Sequence, residues 1–182
     1  MSDDNEEPVP APEASEPRLV GIYGDINEEN SSECLNALLS LHHDREPMEV
    51  IICTGGGSIG DMFAIYDTIR MTREDCEVNT RGIGRVMSAG VLLLAAGTKG
   101  KRKIGKHTRV MLHSVLGGDY MSGPALNSVM KEIETLQHMM FVALAEETNM
   151  TVEYLTGLVE KNVDHFFSAE EAVELGIADI IV

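Results

Sequence analysis

Tryptophan is absent from these 182 residues, and phenylalanine and tyrosine contribute only four side chains each. An interior built from this chain must be filled by aliphatic side chains and by its 11 methionines. Cysteine is equally sparse. Cys34, Cys53 and Cys76 form no C-x-x-C pair, and any disulfide would leave one thiol over. That excludes a disulfide framework or a cysteine-rich zinc site and leads us to expect a reducing, cytoplasmic setting. Bases are outnumbered, 14 against 30 acids, for a net charge of −16. A surface of that sign does not bind nucleic acid or anionic lipid by bulk attraction, so neither is expected as a partner. No apolar run reaches the roughly 18 residues that a membrane-spanning helix needs. The opening MSDDNEEP is acidic, whereas a secretory signal is basic and then apolar. The length fits one domain, able to bury roughly two-thirds of its unfolded surface.

Residues 1–17 stand apart from the rest. They hold Asp3, Asp4, Glu6, Glu7, Glu13 and Glu16, no base, and four of the six prolines. Such a segment buries too little apolar area to offset its ordering entropy, so a disordered acidic tail is expected. From residue 18 the pattern alternates. Strands are expected over 18–23, 50–53, 78–83, 109–113 and 177–182, and helices over 27–43, 59–71, 89–96 and 124–147, with two shorter ones starting near Thr151 and Ser168. Asn27 reads as an N-cap, Ser168-Ala-Glu-Glu171 as a capping box, and Pro124 as a first-turn proline. Repeated β-α units predict an α/β fold with a mostly parallel sheet and right-handed crossovers.

Several motifs could carry chemistry, and each has a plain structural reading beside it. Ser88, in Gly84-Arg-Val-Met-Ser88-Ala-Gly90, joins a strand to an apolar helix, where free N–H groups suit a nucleophile with an oxyanion donor beyond it. Val86 stands where a nucleophile elbow has its first glycine, and a serine there can simply cap the helix. Gly55-Gly56-Gly57-Ser58 is a tight turn or a close approach to a peptide. The absence of a following Gly-Lys-Ser and the presence of Asp61 speak against phosphate. His113 ends a strand and is either structural or the base that a serine nucleophile requires. Asp164 is an orienting acid or an ordinary loop acid. His42-His43-Asp44 lacks metal-ligand spacing, so no metal is expected. The bases Lys99, Lys101, Arg102, Lys103, Lys106 and Arg109 have no interleaved aromatics and read as a turn balancing nearby acids.

Taken in order, Ser, then His, then Asp, these features resemble one family. Ala64-Ile-Tyr-Asp67, Leu93-Leu-Ala-Ala-Gly-Thr-Lys-Gly-Lys-Arg102, His113 followed by Leu116-Gly117-Gly118, and Phe167-Ser-Ala-Glu-Glu-Ala172 are similar to the caseinolytic protease proteolytic subunits, the ClpP family. The resemblance covers 18–182. It implies a ClpP/crotonase-like fold, with stacked β-α units forming a compact head and a long helix over 124–147 as a protruding handle. It implies a serine endopeptidase with Ser88 as nucleophile, His113 as base and Asp164 as orienting acid. The backbone N–H groups of Gly57 and Ala89 would form the oxyanion hole. Gly56, Ser58 and Ile59, with Leu116, Gly117 and Gly118, would hold an extended peptide by strand addition. No cofactor is implied. The implied partners are peptide substrates, further copies in a heptameric ring or a stacked tetradecamer, and an AAA+ unfoldase.

Departures from the family pattern set further expectations. Thr54-Gly55 replaces the usual Ser-Pro, which predicts a looser oxyanion loop. Val86-Met87 replaces a pair of alanines, which predicts a bulkier wall beside Ser88. Asn162-Val163 replaces the acid and arginine that link two rings, and the acidic tail stands where the family has its axial loops. Two other readings stay open: a catalytically weak or inactive ring subunit serving as scaffold or regulator, and a crotonase-like acyl-CoA enzyme.

Overall fold

The computed structural model describes residues 18–115, 123–160 and 163–182. The expected acidic tail over 1–17, the peptide-binding positions Leu116, Gly117 and Gly118, and Asn162 lie outside the described residues. In chain order the elements are β1 (Leu19–Ile26), α1 (Glu28–His42), β2 (Met48–Gly57), α2 (Ile59–Thr72), β3 (Val78–Met87), α3 (Ala89–Ala95), β4 (Arg102–Ile104), β5 (Arg109–Leu112), α4 (Gly123–Glu147), α5 (Val152–Val159), β6 (His165–Phe167), α6 (Ala169–Glu174) and β7 (Ile180–Ile181).

The sheet runs β1-β2-β3-β4-β7, with β5 branching from β3 and β6 pairing β5. Among the described residues every pairing is parallel except β5 with β6. The α/β expectation therefore holds. Helix starts follow their local signals. Asn27 Oδ1 accepts from the Asn30 N–H at 3.0 Å, and Ser168 and Glu171 form the reciprocal capping box.

The strands depart from their expected bounds. β2 runs on through its glycines because they stay paired to β1 as far as Ile26 opposite Gly57. β3 continues to Met87 because it changes partner, pairing β4 over Thr80–Gly82 and β5 over Arg85–Met87. Glycine carries no strand preference, so tertiary pairing alone extends both strands. β4 and β6, three residues each, give no periodic signal at that length. The final strand shrinks to Ile180–Ile181, since only those residues reach β4.

The core is centred on α3, all of whose residues are buried, with Leu92, Leu93 and Leu94 fully so. A helix apolar all round is a core helix. Each such leucine contributes about 1.5–3 kcal/mol of burial. α4 is two-natured. Leu126–Met139 are exposed or half-buried, whereas Met140, Phe141, Ala143, Leu144 and Glu147 pack into the body. Four of the six bases in the cluster form ion pairs: Lys99 with Glu147, Lys101 with Glu77, Arg102 with Asp179 and Lys103 with Glu49. Among the described residues no helix is long and apolar enough to cross a membrane.

Candidate active site

Open parallel sheets place ligand crevices at the carboxyl ends of their strands. Here β1, β2, β3 and β5 end around one cleft of about 490 Å³, and its wall includes Gly56, Gly57, Ser88, Ala89 and His113. Its size falls in the range of small-molecule and peptide sites.

Ser88 follows the last residue of β3 and precedes α3. Its backbone is left-handed, φ 53° and ψ −122°, and its side chain makes no capping hydrogen bond. A non-glycine residue at positive φ costs of order 1–3 kcal/mol and persists only where the surroundings hold it. The Ser88 N–H donates to Met111 O at 2.7 Å, which ties the turn to β5. The strained elbow thus forms without a glycine at position 86. Val86 is fully buried between β2 and β5. Neither it nor Met87 lines the cleft, so the bulkier wall expected from this pair is not there. The extra volume of Val86 goes into the core, and Met87 is half-buried.

His113 follows β5 and brings Nε2 to 2.9 Å from Ser88 Oγ, across 25 positions of chain. Asp164 stands exposed just before β6. The β5–β6 ladder pairs Val110 with Phe167, Met111 with Phe166 and Leu112 with His165. One further step of that register sets His113 opposite Asp164. The ladder stops short of it, and among the described residues no hydrogen bond or ion pair joins Asp164 to the imidazole. The structure brings together Ser88 and His113 and leaves Asp164 one pairing step away.

The glycine edge is closely fitted. A Cβ built on Gly56 (φ 101°) would lie 2.6 Å from Ser88 Cβ, and one on Gly57 (φ 150°) would lie 2.1 Å from Ile26 O. Only glycine satisfies both positions. Thr54 anchors this edge. Its buried hydroxyl donates to Gly24 O at 2.5 Å and accepts from the Gly56 N–H at 3.0 Å. The loosening expected from Thr54-Gly55 is countered by that anchor. Ala89 is the first residue of α3, so its N–H has no acceptor within the helix. Ser58 caps α2 through the Asp61 N–H and lines the cleft with Ile59.

Sequence reasoning missed Thr54, Asp25, Val115 and Met140, the last three of which also line the cleft. Thr54 could have been found as the residue entering the glycine run; the others carry no local signal. Cys34 is no rival nucleophile, because burial pushes its thiol up to about 12. Among the described residues no group of three His, Cys, Asp or Glu side chains could hold a metal ion.

Comparison with known proteins bears on this geometry. The family model described as Clp protease matches residues 11–182. The chain belongs to the Clp protease family. The proteolytic subunit 2 of the ATP-dependent Clp protease of Chlamydia pneumoniae is 36% identical over 167 residues, covering 91% of this chain and 80% of that protein. Subunit 2 of Chlamydia muridarum is 37% identical, and subunit 1 of Chlamydia felis 36%, over the same shares. The ClpP resemblance read from the motifs is thereby shown, and the parallel sheet with its flanking helices is a ClpP-type fold.

Proposed function

We propose that this Clp-family chain is a serine endopeptidase that cleaves unfolded polypeptides or short peptides, with Ser88, His113 and Asp164 as its triad. The observation that carries the reading is the 2.9 Å approach of His113 Nε2 to the hydroxyl of a strained Ser88, beside a glycine edge that no side chain obstructs.

Ser88 donates its proton to Nε2 as Oγ attacks a peptide carbonyl. The N–H groups of Gly57 and Ala89 stabilise the oxyanion; one such donor is worth about 2.7–4 kcal/mol in the transition state. The His113 imidazolium then protonates the leaving amine, and water attacks the acyl-enzyme by the reverse route. Asp164 closes on Nδ1 when the β5–β6 ladder gains its next pair, holding the tautomer and stabilising the imidazolium. Gly56, Ser58 and Ile59 on one side, and Leu116, Gly117 and Gly118 on the other, hold the substrate as an added strand. No cofactor takes part.

The catalytic chamber is a cytoplasmic ring of seven copies fed by an AAA+ unfoldase. Exposed Leu126, Met130 and Met139 on α4 support burial against other copies. Three free cysteines fit a reducing compartment. A second reading, a catalytically silent ring subunit, is favoured by one observation: Asp164 makes no hydrogen bond to His113.

A fluorogenic-peptide assay across a size-exclusion profile, paired with fluorophosphonate labelling, separates the two. The expected outcome is labelling and hydrolysis in the ring fraction, both abolished by Ser88→Ala. An unlabelled, inactive ring establishes the silent subunit instead, and monomer alone by mass photometry at micromolar concentration overturns the ring.

A further inference from the structure

Asp25 has no part in the chemistry above, yet it lines the same cleft as Ser88 and His113. The rest of the described wall consists of glycines, apolar side chains, two serines and His113, which leaves Asp25 as its one carboxylate. Asp25 is exposed, and among the described residues no hydrogen bond or ion pair engages its side chain. Its backbone, by contrast, is fixed. Gly24 O accepts from Thr54 Oγ1 at 2.5 Å, and Asp25 O accepts from Asn30 Nδ2 at 2.7 Å. A charge held on a fixed backbone and left without a partner is free for a ligand.

The sheet register gives its distance from the chemistry. Asp25 pairs with Gly56, the glycine that abuts Ser88. Neighbouring strands lie about 4.8 Å apart, which puts the carboxylate within about 10 Å of the nucleophile. A lysine or arginine on a residue flanking the scissile bond spans such a gap.

We infer that Asp25 sets substrate preference, favouring peptides with lysine or arginine next to the scissile bond and disfavouring acidic ones. The inference rests on the peptidase reading of this cleft. A solvent-accessible ion pair is worth a factor of about 2 to 5, and salt screens it. The chain's general acidity is a separate source of attraction for basic peptides. A proper control therefore removes one acid outside the cleft. Glu74 serves: it is exposed beyond the far end of α2, whose 14 residues hold it about 20 Å from the glycine edge.

The test uses three fluorogenic peptides that differ only in lysine, norleucine or glutamate beside the cleaved bond. kcat/KM is measured for the wild type, Asp25→Asn and Glu74→Gln at low and high salt, and binding of the same peptides to Ser88→Ala and to Ser88→Ala/Asp25→Asn is followed by anisotropy. The expected result is a lysine-over-norleucine ratio of about 2 to 5 at low salt that shrinks at high salt. Asp25→Asn brings it close to one, and Glu74→Gln preserves it. Equal turnover of all three peptides by the wild type overturns the inference and leaves the peptidase reading standing. A ratio that survives Asp25→Asn, or falls equally in Glu74→Gln, also overturns it. Tighter binding of the lysine peptide to Ser88→Ala, erased by Asp25→Asn, supports the inference where the wild type cleaves; a wild type that cleaves none of the three peptides overturns the peptidase reading and the preference with it, whatever the binding.

Discussion

At Gly56 a single added carbon tests the site. Its Cβ would lie 2.6 Å from Ser88 Cβ and 3.1 Å from Ser88 Oγ, on a backbone at φ 101°. Displacing the nucleophile by about an ångström costs about 10²-fold in rate. Gly56→Ala is therefore expected to lower kcat/KM by at least that order, with a loss of about 1–3 kcal/mol from the strained backbone. Gly55, which also lines the cleft, is the steric comparison, since a Cβ there meets no protein atom within 4 Å and its φ is ordinary. Gly55→Ala should keep the wild-type thermal midpoint and lose far less kcat/KM than Gly56→Ala, and equal damage in both variants would detach the contact with Ser88 from catalysis. The roles of these two neighbours are indistinguishable in the sequence Thr54-Gly-Gly-Gly-Ser58. Which glycine faces Ser88 depends on how β2 is registered against β1 and β3.

The β5–β6 ladder is the element on which the acid of the triad depends. It ends at Leu112 opposite His165, one pair before His113 meets Asp164. Asp164→Asn keeps the shape and removes the charge. If the ladder closes during turnover, kcat falls on the order of 10⁴-fold, the cost of the wrong imidazole tautomer. Because Asp164 is exposed and without an ion pair, the same change should move stability by no more than about 0.5 kcal/mol. Peptide hydrolysis and a urea titration on one preparation measure both. A rate loss below tenfold would assign the chemistry to Ser88 and His113 alone. The order Ser, His, Asp was legible only through family resemblance. Taken singly, each residue had a commoner structural explanation.

For the molecule as a whole, Glu147 at the end of α4 is the principal polar fastening. It is 2% exposed, and its carboxylate meets Arg73 at 2.5 Å and Lys99 at 3.2 Å, while the Tyr66 hydroxyl donates to it at 3.3 Å. Its carbonyl accepts from Arg102 at 2.7 Å and from Lys99. Burial alone would push the Glu147 carboxyl up. The hydrogen bonds and charges of Arg73 and Lys99 outweigh burial and hold it below its ordinary 4.5. A carboxyl lowered by folding stabilises above its unfolded value and loses that contribution as pH falls through the folded one. Asp179, held below 3.8 against burial by Arg102 and the backbone, adds to the same acid limb. Glu147→Gln removes the charge that Arg73 and Lys99 face while Arg73 keeps its bonds to Ala96 O and Gly97 O, and should cost about 1–3 kcal/mol at pH 7. In urea titrations the gap between wild type and variant should narrow as pH drops below 4.5. A gap independent of pH would remove the ionised pair from the account.

Local signals within four residues of one another determined the helix starts at Asn27 and Ser168, the β-α alternation and the all-apolar α3. Composition determined the acidic surface, and the longer motifs determined the family. Only the tertiary structure decided that Ser88 is strained, that Val86 is core, that β2 and β3 run through their glycines, which acids Lys99, Lys101, Arg102 and Lys103 pair with, and that Asp25 shares a wall with the nucleophile. The physical reason is separation along the chain. Caps and periodicity are short-range hydrogen bonding and packing, carried by adjacent residues. The cleft exists where the ends of four strands converge, and the contact that matters most there, Ser88 with His113, spans 25 positions.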